Sequence, residues 1–174
     1  MTVLEQMRHR RSTRAFKPEM PDRALIEQVI TAGTYAANGK NHQSGLIVAV
    51  TNKEVRDELS RMNAKFMGKD EHFDPFYGAP VVLVVLAEKN WATHVYDGSL
   101  VMGNLMLAAD AVGLGSCWVH RAREEFETEE GKAILARLGI EGEYEGIGHC
   151  VLGYSAEAER EPAPRKENFV YYLD

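Results

Sequence analysis

Three guanidiniums and a serine hydroxyl fall within five residues, Arg10-Arg11-Ser12-Thr13-Arg14, followed by Ala15-Phe16. Arginine presents permanently charged donors in a planar fork that matches phosphate oxygens, and serine adds a short donor at close range. Such a stretch can grip one phosphate, or it can be a solvated basic turn; its own residues leave both readings open. The surrounding charge favours a small ligand. The 174-residue chain has a formal net charge of −6, yet Arg8, His9, Arg10, Arg11, Arg14 and Lys17 gather near its start. A nucleic-acid binder would show a basic excess overall, so no nucleic-acid partner is expected.

No other stretch offers protein-borne chemistry. His9, His42, His72, His94, His120 and His149 are scattered, and none stands in a Ser/His/Asp, HExxH or Cys/His arrangement. His149 lies in an apolar run, as a hydrogen-bonded core histidine would. Cys117 and Cys150 stand alone, so neither a metal site nor a disulfide framework is indicated. There is no GxGxxG after a strand and no GxxxxGK[ST]. An enzyme without an acid, base or nucleophile motif of its own takes its chemistry from a cofactor.

The elements that would position the arginines follow from pattern. Thr2-Val3-Leu4-Glu5 is a capping box that starts a short helix with Val3, Leu4 and Met7 on one face. Pro18 and Pro21 enforce an extended or turned segment after the arginines. Asp22 can cap a helix whose apolar positions run from Leu25 to Ala37, stopped by Asn38-Gly39. Residues 46–50 read as a buried strand, and Asn52 caps a helix through Val55, Leu59 and Met62. Residues 65–78 are aromatic and polar without a period, so a loop or short helical turn is expected. Phe66, Met67, His72, Phe73, Phe76 and Tyr77 make it either a lid or a surface loop tucked by its aromatics.

Residues 80–87 form the strongest strand, apolar without alternation, as suits burial on both faces. Residues 94–112 are apolar nearly all round, which places that helix inside a core or under a second subunit. Strands are expected at 116–119 and 148–154, and a surface helix at 128–138. Phe169–Leu173 has β character and nothing local to pair with. The pattern predicts one domain over 1–174, an α+β chain with its sheet between helix layers. Hydrophobic content of 45% and charged content of 26% are ordinary for a globular protein. No leader is evident, and the longest apolar stretch, 100–114, is short for a bilayer and contains Asn104 and Asp110. A cytoplasmic protein without membrane contact is expected.

In order along the chain, four stretches resemble the FMN-dependent nitroreductase family. They are Arg10 to Phe16; Ala37-Asn38-Gly39-Lys40-Asn41-His42-Gln43, similar to a Pro-Ser-x-x-Asn-x-Gln loop; Asp97 to Trp118; and Leu152-Gly153-Tyr154 with Pro162-Ala163-Pro164-Arg165. The resemblance implies a mixed sheet flanked by helices on both faces, a homodimer with FMN at the interface, and a C-terminal segment exchanged between subunits. It implies Arg10, Ser12 and Arg165 at the FMN phosphate and ribityl oxygens, with Arg11 beside them in an undecided role, and Arg14 at the pyrimidine edge. Asn38, Gly39, Asn41 and Gln43 would approach from the other subunit, and Ser116, Cys117 and Trp118 would line the flavin. NADH or NADPH would be the donor and nitroaromatics or quinones the acceptors, in a ping-pong cycle without a catalytic side chain. Relatives of the family also dehydrogenate, dehalogenate or fragment flavin, and a non-catalytic flavin- or phosphate-binding module is the further alternative.

The sequence departs from the family in two places. Ala37-Asn38-Gly39 replaces hydroxyl donors with an amide and a bare backbone, and Ser44-Gly45 stands where a Pro-aromatic pair is common.

Overall fold

Nothing in residues 81–87 faces water: each has 0% exposure, and this strand is the middle of the molecule. The computed structural model describes all 174 residues, Met1 to Asp174. The central strand β2 (Val81–Glu88) pairs antiparallel with β1 (Gly45–Val50) on one side and with β4 (Tyr144–Gly153) on the other. β4 then pairs antiparallel with β3 (Gly115–Val119), giving the order β1-β2-β4-β3. Alternation along β2 sorts the core into two layers. Val82, Val84 and Leu86 face helices α3 (Lys53–Phe66), α5 (Ala122–Phe126) and α6 (Glu129–Arg137). Val81, Leu83, Val85 and Ala87 face α2 (Arg23–Thr34) and α4 (His94–Ala111).

The expected α+β layering is therefore present. The parallel part of the expected mixed sheet shrinks to one isolated bridge, Ser12 with Ser116. An unalternating apolar strand reports burial on both faces and says nothing of direction, so the sequence pattern could not fix this point. Asp22 stands at the N-cap of α2 without a side-chain cap bond, whereas Thr2 and Asn52 cap as expected. α2 stops at Thr34, three residues before Ala37. β4 begins at Tyr144, ahead of the expected Gly148. Gly146 lies within it because α5 crosses close above: a Cβ there would collide with the Ala122 carbonyl.

Two helices turn apolar surface outward. The first helix, α1 (Val3–His9), exposes Val3, Leu4 and Met7 at 65%, 68% and 57%, and its buried residue is Gln6. α4 buries Val101, Met102, Leu105 and Ala109 yet leaves Tyr96 and Leu100 exposed. Burial within one chain thus accounts for only part of the apolar character of α4. The tail is bare as well: each residue from Phe169 to Leu173 is at least 61% exposed.

Residues 65 and 66 close α3, and in the loop that follows one aromatic is anchored while Phe73 and Tyr77 stay exposed. Phe76 is fully buried, and Asp74 accepts from the Ser60 hydroxyl (2.9 Å), the Phe76 amide (3.0 Å) and the Gly78 amide (2.8 Å), besides pairing with Arg56. On the same side of the sheet lies a closed polar group. Glu125 of α5 and His149 of β4 are both 0% exposed, with Oε2 and Nε2 2.9 Å apart. Asn63 of α3 donates to Glu125 Oε1 and to the His120 carbonyl, both at 2.6 Å.

Candidate functional site

After α1 the chain runs extended along the free edge of β3. The Thr13 amide donates to the Ser116 carbonyl (2.9 Å), and Lys17 and Ala156 exchange backbone bonds with Tyr154 and Ala15. An extended backbone sends alternate side chains to opposite sides. Thr13 turns inward against Gly115 and is 8% exposed. Arg14, Ser12 and Arg10 all lie near enough to the Cys117 thiol to act on it. Burial pushes the Cys117 thiol above its ordinary range, although Arg14, Ser12 and Arg10 all pull it down. Cys150 is buried too, and burial pushes its thiol up to about 12. Neither thiol is therefore poised as a thiolate, which fits the absence of any redox-cysteine pattern.

Three buried donors of this segment and of β3 have no partner: Arg10 Nη1, Arg11 Nε and Ser116 Oγ make no hydrogen bond within the chain. Buried polar groups are normally paired, so unpaired guanidinium nitrogens suit an anionic ligand such as a phosphate. Arg11 does something more. It donates to the Arg8 carbonyl at the end of α1 and lines a pocket of about 280 Å³ together with His9, Ser12, Asp110 and Glu159. That volume lies at the lower edge of the roughly 300–1,000 Å³ usual for a whole small-molecule site.

His9 ties this pocket to its neighbours. Its Nδ1 lies 2.9 Å from Asp110 of α4 and its Nε2 2.9 Å from Glu159 of the tail. The hydrogen bond to Asp110, then that to Glu159, holds the imidazolium above its ordinary pKa of 6.5. The sign follows from linkage: the stabilising contribution is fully present below the unfolded value and is lost as pH rises through the raised folded value. An NMR titration of the His9 ring should show a midpoint above 6.5, and Asp110→Asn should lower it. A midpoint indifferent to Asp110→Asn would mean that the contact does not persist in solution.

Trp118 points away from Cys117, as strand alternation requires. Its ring joins the core on the α2–α4 side and lies over Gly148. Only its backbone shares an edge with the arginines. Arg165 does not reach them in this chain; both of its hydrogen bonds go to the Ala163 carbonyl, at 2.6 and 3.2 Å.

The 38–43 loop lies elsewhere and is held from beneath. Gly39 does not offer the exposed amide expected of it, because that amide donates to Asp97 Oδ1 at 3.0 Å. Its lack of a side chain has another cause: a Cβ would collide with Thr93 Oγ1 and crowd Trp91. Asn38 is also occupied, accepting from the Gln43 amide (2.9 Å) and donating to the Ala36 carbonyl (3.3 Å). The exposed side chains of Lys40, Asn41 and Gln43 remain for a ligand. His42 stacks on Trp91 at 4.0 Å between ring centres.

These two groups of residues sit at opposite ends of α4. The loop is fastened at Asp97 and the arginine segment, through His9, at Asp110. Thirteen residues of helix separate them by about 20 Å along the axis. A single chain therefore brings Arg10, Ser12, Arg14 and Cys117 together, joins them to Ser116 through the backbone, and leaves Asn38, Gly39, Asn41, Gln43 and Arg165 apart from them. Asp97 was not foreseen as part of this arrangement.

Residues 7–154 match the model of the Nitroreductase family. Among curated proteins, the chain is 28% identical over 123 residues to a provisionally named NADH dehydrogenase/NAD(P)H nitroreductase of Methanothermobacter thermautotrophicus, covering 68% of this chain and 60% of that protein. It is 24% identical over 140 residues to the FMN reductase (NADPH) of Bacillus subtilis, covering 72% and 56%. The chain thus spans only 56–60% of the length of these relatives. Among solved structures, a nitroreductase with bound FMN from Bacteroides fragilis matches over 100% of both chains with TM-score 0.88 and 25% identity. Iodotyrosine deiodinase bound to FMN and 3-iodo-L-tyrosine has the same fold, with TM-score 0.73 and 21% identity over 99% of this chain and 100% of that one.

Proposed function

Because the chain belongs to the Nitroreductase family, we propose that it is a homodimeric flavoprotein that binds one FMN in each of two interface sites and acts as an NAD(P)H-dependent oxidoreductase. The observation that carries this reading is the pair of buried, unpartnered guanidinium nitrogens, Arg10 Nη1 and Arg11 Nε, just ahead of Ser12. They fit a phosphate-bearing cofactor, and the relatives named as FMN reductase and NAD(P)H nitroreductase support the choice of FMN and of a nicotinamide donor. Bound FMN would supply two-electron chemistry, linking NADH or NADPH to a nitroaromatic or quinone acceptor in a ping-pong cycle.

The chain's own residues bind and orient. Arg10 and Ser12 hold the phosphate and ribityl oxygens, and Arg14 places a cation near the pyrimidine edge, where it favours negative charge on the ring. Asn41 and Gln43 reach in from the partner, with Asn38 and Gly39 shaping that loop. Arg165 closes the phosphate end once the tail has crossed. The separation of the two groups along α4 supports a site made by two chains. So do the outward apolar faces of α1 and α4. The bare tail and the strandless outer edge of β1 support exchange of residues 169–173 between subunits. No helix is long and apolar enough to cross a membrane.

Purified protein should carry a flavin absorbance spectrum or gain one with FMN, and NADH or NADPH should bleach it. Colourless protein whose melting temperature and flavin fluorescence ignore excess FMN would sink the reading. Bound flavin that millimolar nicotinamide leaves oxidised would favour a second reading, a different redox reaction on the same fold, for which the deiodinase-like architecture is the motive.

A further inference from the structure

Residues 38–43 have a shape that a free loop would not keep. Lys40, Asn41 and Gln43 all lie in the left-handed region, with φ of 52°, 56° and 57°, and none is glycine. Such conformations are strained, most of all for Lys and Gln, and persist only where the surroundings over-determine them. Beside the Asn38–Gln43 bond and the His42–Trp91 stack, one carboxylate ties this loop down. Asp97, in the first turn of α4, is 3% exposed, and both its oxygens are engaged: Oδ1 accepts the Gly39 amide (3.0 Å), Oδ2 the Ser44 hydroxyl (2.7 Å) and the Thr93 hydroxyl (3.1 Å). Those bonds reach both ends of the loop, one residue past Asn38 and one past Gln43.

Resting on the flavoprotein reading above, we propose that Asp97 is a positioning residue that pre-forms the 38–43 loop as a hook for the flavin held by the opposite subunit. The geometry divides the loop into two sets of residues. Asn38, Gly39 and Ser44 spend their hydrogen bonds on the hook itself, and Asn38 also closes it through the Gln43 amide. Lys40, Asn41 and Gln43 project outward as its working side. Although burial pushes the Asp97 carboxyl up, the Ser44 hydroxyl, the Gly39 amide and the Thr93 hydroxyl together hold it below the usual carboxylate range, so it is anionic at neutral pH and the hook stays set. A pre-formed loop removes the ordering cost from the binding step, which is how a residue that never touches a ligand raises its affinity.

The test compares wild type with Asp97→Ala, which deletes all three acceptor contacts, and Asp97→Asn, which keeps an acceptor for the Gly39 amide. Two readouts are taken well below the melting transition. The first is hydrogen exchange of the Gly39 and Gln43 amides in flavin-free protein. The second is the Kd for FMN and for riboflavin. Asp97→Ala should speed exchange at both amides and weaken FMN and riboflavin by the same factor, ten-fold or more, because the hook is not a phosphate contact. Asp97→Asn should recover most of both effects. Faster exchange with flavin affinities within two-fold of wild type would make Asp97 a purely structural residue and overturn the proposal, as would unchanged exchange. Wild-type protein that binds no flavin would overturn the flavoprotein reading itself, whereas flavin-binding wild type beside an unaffected Asp97→Ala would overturn only the role given to Asp97.

Discussion

Glu125→Ala should lower the unfolding free energy by about 3–5 kcal/mol, read as a fall in the urea midpoint with little change in slope. The size follows from complete burial. Glu125 and His149 have no exposed surface, and Glu125 Oε2 stands 2.9 Å from His149 Nε2. Truncating the carboxylate leaves a polar ring in the core and also frees the Asn63 amide from Glu125 Oε1. Unpaired groups of this kind cost far more than an intact pair contributes. Replacing both residues together by apolar side chains of similar volume should recover most of the loss. A cost below about 1 kcal/mol for the single change would mean that water enters this region.

Arg10→Ala should weaken FMN binding by about 1.5–3 kcal/mol, roughly a 10- to 150-fold rise in Kd, while weakening riboflavin far less. The contrast isolates the phosphate. Arg10 Nη1 is buried without a partner, so the free protein already bears the burden of an unsatisfied cation, and a phosphate oxygen relieves it. Equal losses for FMN and riboflavin would place Arg10 at the ring or ribityl chain. No loss at all would return the segment to a solvated basic turn.

How much of this was legible varies with what each residue answers to. β2 could be read because burial on both faces leaves an apolar run with no other explanation. α5 could not: Ala-Arg-Glu-Glu-Phe is short and charged, and it is helical because Ala122 and Phe126 are pressed into the core. The arginines were legible because guanidinium chemistry is a property of residue type. Their division of labour was not. That Arg11 turns one nitrogen to the end of α1, while Arg10 makes no such bond, depends on the pairing of residue 12 with residue 116. Asp97 was missed for a like reason. An aspartate in the first turn of a helix is ordinarily explained by the helix dipole, and its partners Gly39 and Ser44 are 58 and 53 residues away in sequence.

The strand order carries a consequence for how the chain reaches this structure. β1 and β2 lie close in sequence, but β2 meets its other neighbour only through long closures: Glu88 pairs with Tyr144 and Val81 with Leu152, separations of 56 and 71 residues. Closing such loops is entropically slow, so folding rates fall as these pairings dominate. On a ribosome, the most apolar strand of the protein therefore emerges with one edge unpaired and stays so until β4 follows. During that interval it is a template for any other nascent strand. Refolding yield should consequently fall with protein concentration more steeply than the modest size of the chain would imply, and rapid dilution should favour the native fold.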